Sequence, residues 1–101
     1  MPAPQPVNAT KQGAMIPVAG SQMALAVTSG AAVALTVPKN AAVAFITVET
    51  APIRWRDDGT APTTANGQLV QTNAGFWCFA PWAIQLIAVS TSAAIDVSYY
   101  Q

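Results

Sequence analysis

From Gln22 onward the chain is a succession of apolar runs, four to eight residues long, each closed by turn-forming residues. Residues 23–27 stop at Ser29-Gly30, residues 32–37 at Pro38-Lys39-Asn40, residues 42–48 at Thr50-Ala51-Pro52, and residues 53–56 at Asp57-Asp58-Gly59. A longer polar loop leads to 68–71, and Asn73-Ala74-Gly75 separates that run from 76–79. Pro81 then bends the chain into 82–89, Ser90-Thr91-Ser92 turns it, and residues 94–100 close it. Runs rich in Val, Ile, Thr and aromatics suit a pleated, half-buried surface. Their spacing predicts an all-β chain of about eight antiparallel strands, a β-sandwich or a barrel. The short turns fit a meander, a Greek key or a jelly roll equally well.

The abundant alanine invites a helical reading, but large residues alternate with it at period two. Met23/Leu25/Val27, Val33/Leu35/Val37 and Val43/Phe45 each fall on one face. The small residues of the second face let another layer or subunit approach closely. In residues 53–56, Ile53 and Trp55 point one way and Arg54 and Arg56 the other, while Ile95, Val97 and Tyr99 share a core face. Residues 82–89 carry one strongly polar side chain, Gln85, so both faces of that strand should be covered, most economically by another chain.

Residues 1–20 follow a different grammar. Pro2, Pro4, Pro6, Gly13, Pro17 and Gly20 punctuate them, and Val7, Met15, Ile16 and Val18 are the large apolar side chains. Such a stretch reads as an extended, polyproline-like N-terminal arm, with the β domain running from 21 to 101.

Composition sharpens the picture. Of 101 residues, 52% are hydrophobic and 8% charged, with four Lys/Arg against four Asp/Glu, no histidine and one cysteine. A balanced charge this small attracts neither nucleic acid nor an anionic membrane. One cysteine without histidine excludes a disulfide framework, a Cys/His zinc cluster and an imidazole base. Cys78, between Trp77 and Phe79, reads as a small core residue. The start is uncharged and proline-broken, unlike a secretory signal, and no apolar run reaches the ~20 residues of a transmembrane helix. Scaling predicts about 5,400 Å² of accessible surface for a chain this size. Eight ionic side chains spread over it leave an exterior suited to association, so copies of the chain or a larger partner are expected to hide much of it.

Half of the charges lie in five consecutive residues, Arg54 to Asp58. The arrangement predicts a turn in which Asp57 and Asp58 accept backbone or arginine hydrogen bonds and Gly59 takes a positive φ. An intersubunit ion pair or a calcium site on the two aspartates are the other readings, and calcium prefers more carboxylates than this loop offers. No nucleophile or base accompanies them, so no catalytic residue, cofactor or metal is expected. Trp55, Trp77 and Trp82 read as core or interface aromatics. A sugar-stacking platform is the alternative, although the sequence does not cluster carboxylates and amides beside them. Tyr99 and Tyr100 suit the margin of a sheet or an interface. The uncharged polar loop 60–67 can hydrogen-bond a partner's backbone without burying ions.

Two segments resemble small virion proteins of tailed bacteriophages. The first runs from Ala51 to Thr63, where an arginine-bearing strand enters an Asp-Gly-Thr turn and a Pro-Thr loop, followed by Gly67. The second comprises residues 84–89, a hydroxyl-rich turn and the closing Ile95-Asp96-Val97-Ser98-Tyr99-Tyr100. The resemblance implies a capsid decoration (cement) protein or a head-fibre or tail component of the virion. It further implies a jelly-roll-like β-sandwich assembled as a trimer, without catalytic residues. The expected partners are further copies of the chain and the major capsid protein or another virion protein. A decoration protein acts by contact area and copy number across neighbouring capsid subunits. A head-fibre base or tail component is the nearest alternative, and a carbohydrate-binding β-sandwich module a more distant one.

Overall fold

The computed structural model describes residues 15–101. It is all-β, with eight strands: β1 (Pro17–Thr28), β2 (Val33–Ala34), β3 (Val43–Val48), β4 (Ile53–Arg56), β5 (Gln68–Val70), β6 (Gly75–Cys78), β7 (Gln85–Ala88) and β8 (Ser92–Tyr100). They form two four-stranded antiparallel sheets, ordered β1-β8-β3-β6 and β2-β7-β4-β5. No helix occurs among the described residues.

The two sheets share one core. Ile46, Val48, Ile95, Val97 and Tyr99 come from the first sheet, Ile53, Leu86 and Ala88 from the second, and Cys78 lies among them. Ile95, Val97 and Tyr99 thus occupy the face that their alternation predicts. Burying this aliphatic surface is the main stabilising term, worth about 1.5–3 kcal/mol for each large side chain.

Alternation in β3 resolves the other way from the size of its residues. Ala44, Ile46 and Val48 face the core, whereas Val43 and Phe45 lie on the outer face. Ala44 pairs with Tyr99 on one side and Cys78 on the other. A buried phenol beside it requires a small neighbour, because a close-packed interior has no room for two large ones. The small residue is therefore inside, and the aromatic one outside.

The elements differ from expectation in length. The expected run 23–27 is the end of a twelve-residue strand whose register against β8 shifts twice. Gly20 (φ +117°) and Ala24 (φ +54°) fall within the irregular part, where left-handed backbone marks β-bulges. Of the N-terminal arm expected over 1–20, residues 1–14 lie outside the described residues, and 17–20 open β1. The run 32–37 contributes only the two residues of β2. The run 82–89 begins its strand at Gln85, since the N–H groups of Ala83 and Ile84 both donate to the Ala80 carbonyl in a turn.

Covering of β7 is largely internal. Leu86 and Ala88 face the core, and Ile87, on the opposite face beside Arg54, is also buried. Arg54, opposite Ile87 in the ladder, is bonded there to two carbonyls of the chain's own β4–β5 loop, on a face that the sequence pattern assigned to a second chain.

Candidate functional site

Two surfaces gather the residues singled out by sequence. The first is the turn after β4 and the loop that follows it. The Arg56 guanidinium makes a bidentate pair with the Asp58 carboxylate, Nε donating to Oδ1 at 3.1 Å and Nη2 to Oδ2. Asp58 Oδ1 also accepts the Thr60 N–H at 3.2 Å, and Gly59 has φ +87°, as a tight turn there needs. The Arg56 guanidinium and then the Thr60 N–H hold the Asp58 carboxyl below its ordinary value, and Asp58 raises Arg56 in turn. Both groups are solvent-facing, so the pair orders the turn more than it stabilises the fold. Asp57 makes no ion pair among the described residues.

Arg54 works separately. Its Nε donates to the Thr64 carbonyl at 3.1 Å and its Nη1 to the Gly67 carbonyl at 3.0 Å. The loop is pinned internally as well: Thr63 Oγ1 accepts the N–H of Ala65 and of Asn66, at 3.3 and 3.0 Å. Gly67 closes it at φ +138°, where a Cβ would come within 3.1–3.2 Å of Arg54 Cβ, Pro62 Cβ and the Trp55 carbonyl. Within this loop the Thr64 and Gly67 carbonyls thus accept from the chain's own Arg54, and the Thr63 hydroxyl from the loop's own N–H groups.

This loop and the turn enclose a groove of about 340 Å³, lined by Trp55, Arg56, Asp57, Asp58, Asn66, Gly67 and Gln68. Here the structure corrects the sequence reading, since carboxylates and amides do gather beside a tryptophan. Asp57 and Asp58 follow Trp55 closely in sequence, and Asn66 and Gln68 join them because β4 and β5 pair, Trp55 opposite Gln68. The Asn66-Gly67 turn signal between the two strands is the feature that could have indicated this. Trp55 itself packs inward, its ring stacked on Phe76 at 5.4 Å and 4°.

The second surface is the outer face of the first sheet. Phe45 and Trp77 are a direct cross-strand pair with ring centroids 4.9 Å apart, and Trp77 lies 5.5 Å from Tyr100. The Phe45 ring lies over Gly75, where a Cβ would sit 2.8 Å from its Cζ, so the glycine gives the ring its seat. Trp77 is 43% exposed, and Phe79 and Trp82 are 72% and 67% exposed. The three tryptophans therefore do not form one platform: Trp55 lies between the sheets, whereas Trp77 faces out from the first. Phe45, which packs in this aromatic group, and Phe79, exposed after β6, were not singled out by sequence as site residues; two large rings at odd positions flanking Val43 and Trp77 were the available signal.

The tyrosines separate in the same way. Tyr100 joins the outer aromatic group, but Tyr99 is fully buried, its hydroxyl donating to Gln22 Oε1, and burial pushes its phenol up to about 12. Cys78 is buried and burial raises its thiol, as suits a core residue. On the outer face near β8, Asp96 accepts the Ala24 N–H at 2.8 Å, and its hydrogen bond and charge raise the neighbouring Glu49 carboxyl. Among the described residues no group of three or more His, Cys, Asp or Glu is placed to hold a metal ion. Comparison with family models, with curated proteins and with solved structures finds no match to this chain.

Proposed function

We propose that this chain is a non-enzymatic structural protein of a tailed-phage virion, a capsid decoration (cement) protein that trimerises and binds across neighbouring capsid subunits. The carrying observation is the contiguous aromatic group Phe45, Trp77 and Tyr100 on the outer face of the first sheet, Trp77 exposed and the other two rings half-buried, on a chain with only 8% charged residues. A rigid apolar surface with few ions near it favours contact with other protein over contact with water. The strand order supports the jelly-roll-like β-sandwich that goes with this reading. In β1-β8-β3-β6 and β2-β7-β4-β5 the chain alternates between sheets in the manner of two Greek keys. A trimer matches the symmetry of threefold positions in a capsid, and shallow contacts multiplied by copy number then reinforce the shell. The expected N-terminal arm, residues 1–20, would add contacts to the shell.

Light scattering on the purified chain and co-sedimentation with empty heads of its phage test the reading together. The expected results are a particle three times the 10.4 kDa chain mass and pelleting with heads. A monomer at micromolar concentration that stays in the supernatant overturns it. Deleting residues 1–14 leaves β1 whole and should weaken head binding without dissociating the trimer.

A further inference from the structure

We propose that the groove between the Arg56–Asp58 turn and the Asn66–Gln68 segment binds a neutral carbohydrate. Its volume, about 340 Å³, falls within the range of small-ligand sites, about 300–1,000 Å³. The chemistry of its walls selects the class. A sugar presents C–H faces that settle against an indole and hydroxyl edges that both donate and accept. Half-buried Trp55, one ring face of which is stacked on Phe76, is the indole that lines the groove; the Asp57 carboxylate accepts from hydroxyls, and the side-chain amides of Asn66 and Gln68 do both.

Other classes fit these walls poorly. A phosphate would meet two carboxylates and a single guanidinium already committed to Asp58. A divalent cation would find Asp57 alone, because Asp58 is occupied by Arg56 and the Thr60 N–H. An apolar ligand would leave Asp57, Asn66 and Gln68 desolvated without partners.

The groove is also built before any ligand arrives. Arg54 fixes two carbonyls of the loop, Thr63 fixes the turn that presents Asn66, and Phe76 holds the Trp55 ring nearly parallel to its own. Little ordering cost is then left for binding. The groove uses residues of the second sheet and its loop, none of them in the outer aromatic group of the first. The inference therefore does not depend on the virion reading, and either can fail alone.

The test is a nuclear magnetic resonance titration of the labelled full chain with cellotetraose, maltotetraose and N-acetylglucosamine tetramer. With at least one of them, the Trp55 indole N–H and the Asn66 and Gln68 side-chain amides should shift together. Asp57→Ala and Gln68→Ala, both on exposed positions, should each weaken that binding roughly tenfold or more with no change in Tm. Trp55→Ala is avoided because it removes a core contact. Silence at these signals with all three sugars overturns the proposal. So do shifts centred on Trp77, Phe79 or Trp82, shifts that both variants leave unaltered, or the same shifts on simple dilution of the sugar-free chain, which would mark the groove as a contact between copies.

Discussion

Tyr99 carries two opposed demands at one position: its ring fills the core next to Ala44, and its hydroxyl must find an acceptor there, which is Gln22 Oε1. Removing water from the phenol disfavours the phenolate, which moves its pKa from 10.0 to about 12. Between those values the unfolded chain has released the proton and the folded chain retains it. This contribution to stability is complete below pH 10 and is lost as pH rises toward 12. Urea midpoints measured across that window should fall with pH, and Tyr99→Phe should flatten the fall. At neutral pH the same variant should cost about 0.5–1.5 kcal/mol, the net value of the lost hydrogen bond. Glu49 gives the opposite test at low pH. Asp96 raises its carboxyl, so its stabilising contribution is present in acid and lost as pH rises through the folded value. Glu49→Gln should therefore be neutral in acid and slightly stabilising at pH 7, checked by thermal unfolding at both. An unchanged difference between the two pH values would show that the carboxylates do not interact.

At the scale of elements, the β4–β5 connection depends on one side chain. Arg54 donates to two carbonyls of the loop and stands directly opposite Ile87 in the β4–β7 ladder. Arg54→Ala should cost about 1.5–3 kcal/mol in urea unfolding and speed amide exchange across 60–67. Arg54→Lys should restore little, since an ammonium cannot reproduce the planar fork that reaches both carbonyls. Gly67→Ala should cost a further-sized penalty of about 1–3 kcal/mol, because both its φ and its crowded Cβ direction exclude a side chain. The turn around Asp58 and Gly59 was legible in sequence because its chemistry is local: an aspartate, a glycine and an arginine two residues away. The course of the loop beyond it was not, because nothing local tells Arg54 to choose the carbonyls of Thr64 and Gly67 over the aspartates next door. Strand existence was legible from period-two runs punctuated by Gly, Pro and Asn. The inward face of β3 was not, because alternation separates large from small residues without saying which side Tyr99 will occupy. The length of β1 escaped for a related reason: bulges at Gly20 and Ala24 let it continue past residues whose pattern breaks the period.

For the molecule as a whole, the distribution of charge decides what kind of association is available. The ion pair lies on the turn after β4, while the outer face of the first sheet presents Phe45, Trp77 and Tyr100 packed against one another. Three rings already held in tilted contact lose little freedom on being covered, which favours tight burial. An assembly held through that face should respond to solvent as apolar burial does. Raising sodium chloride should leave it intact, because there are few exposed ion pairs to screen, and sulfate should strengthen it. Trp77→Asp places a carboxylate where water would have to be excluded and should give monomers at concentrations where the parent chain associates through this face. Asp58→Ala breaks the ion pair away from that face and should leave the association state unchanged. Sedimentation velocity on the two variants, each at low and high salt, distinguishes the alternatives. Dissociation of the parent by salt, or an assembly that survives Trp77→Asp, would mean that some other surface joins the copies.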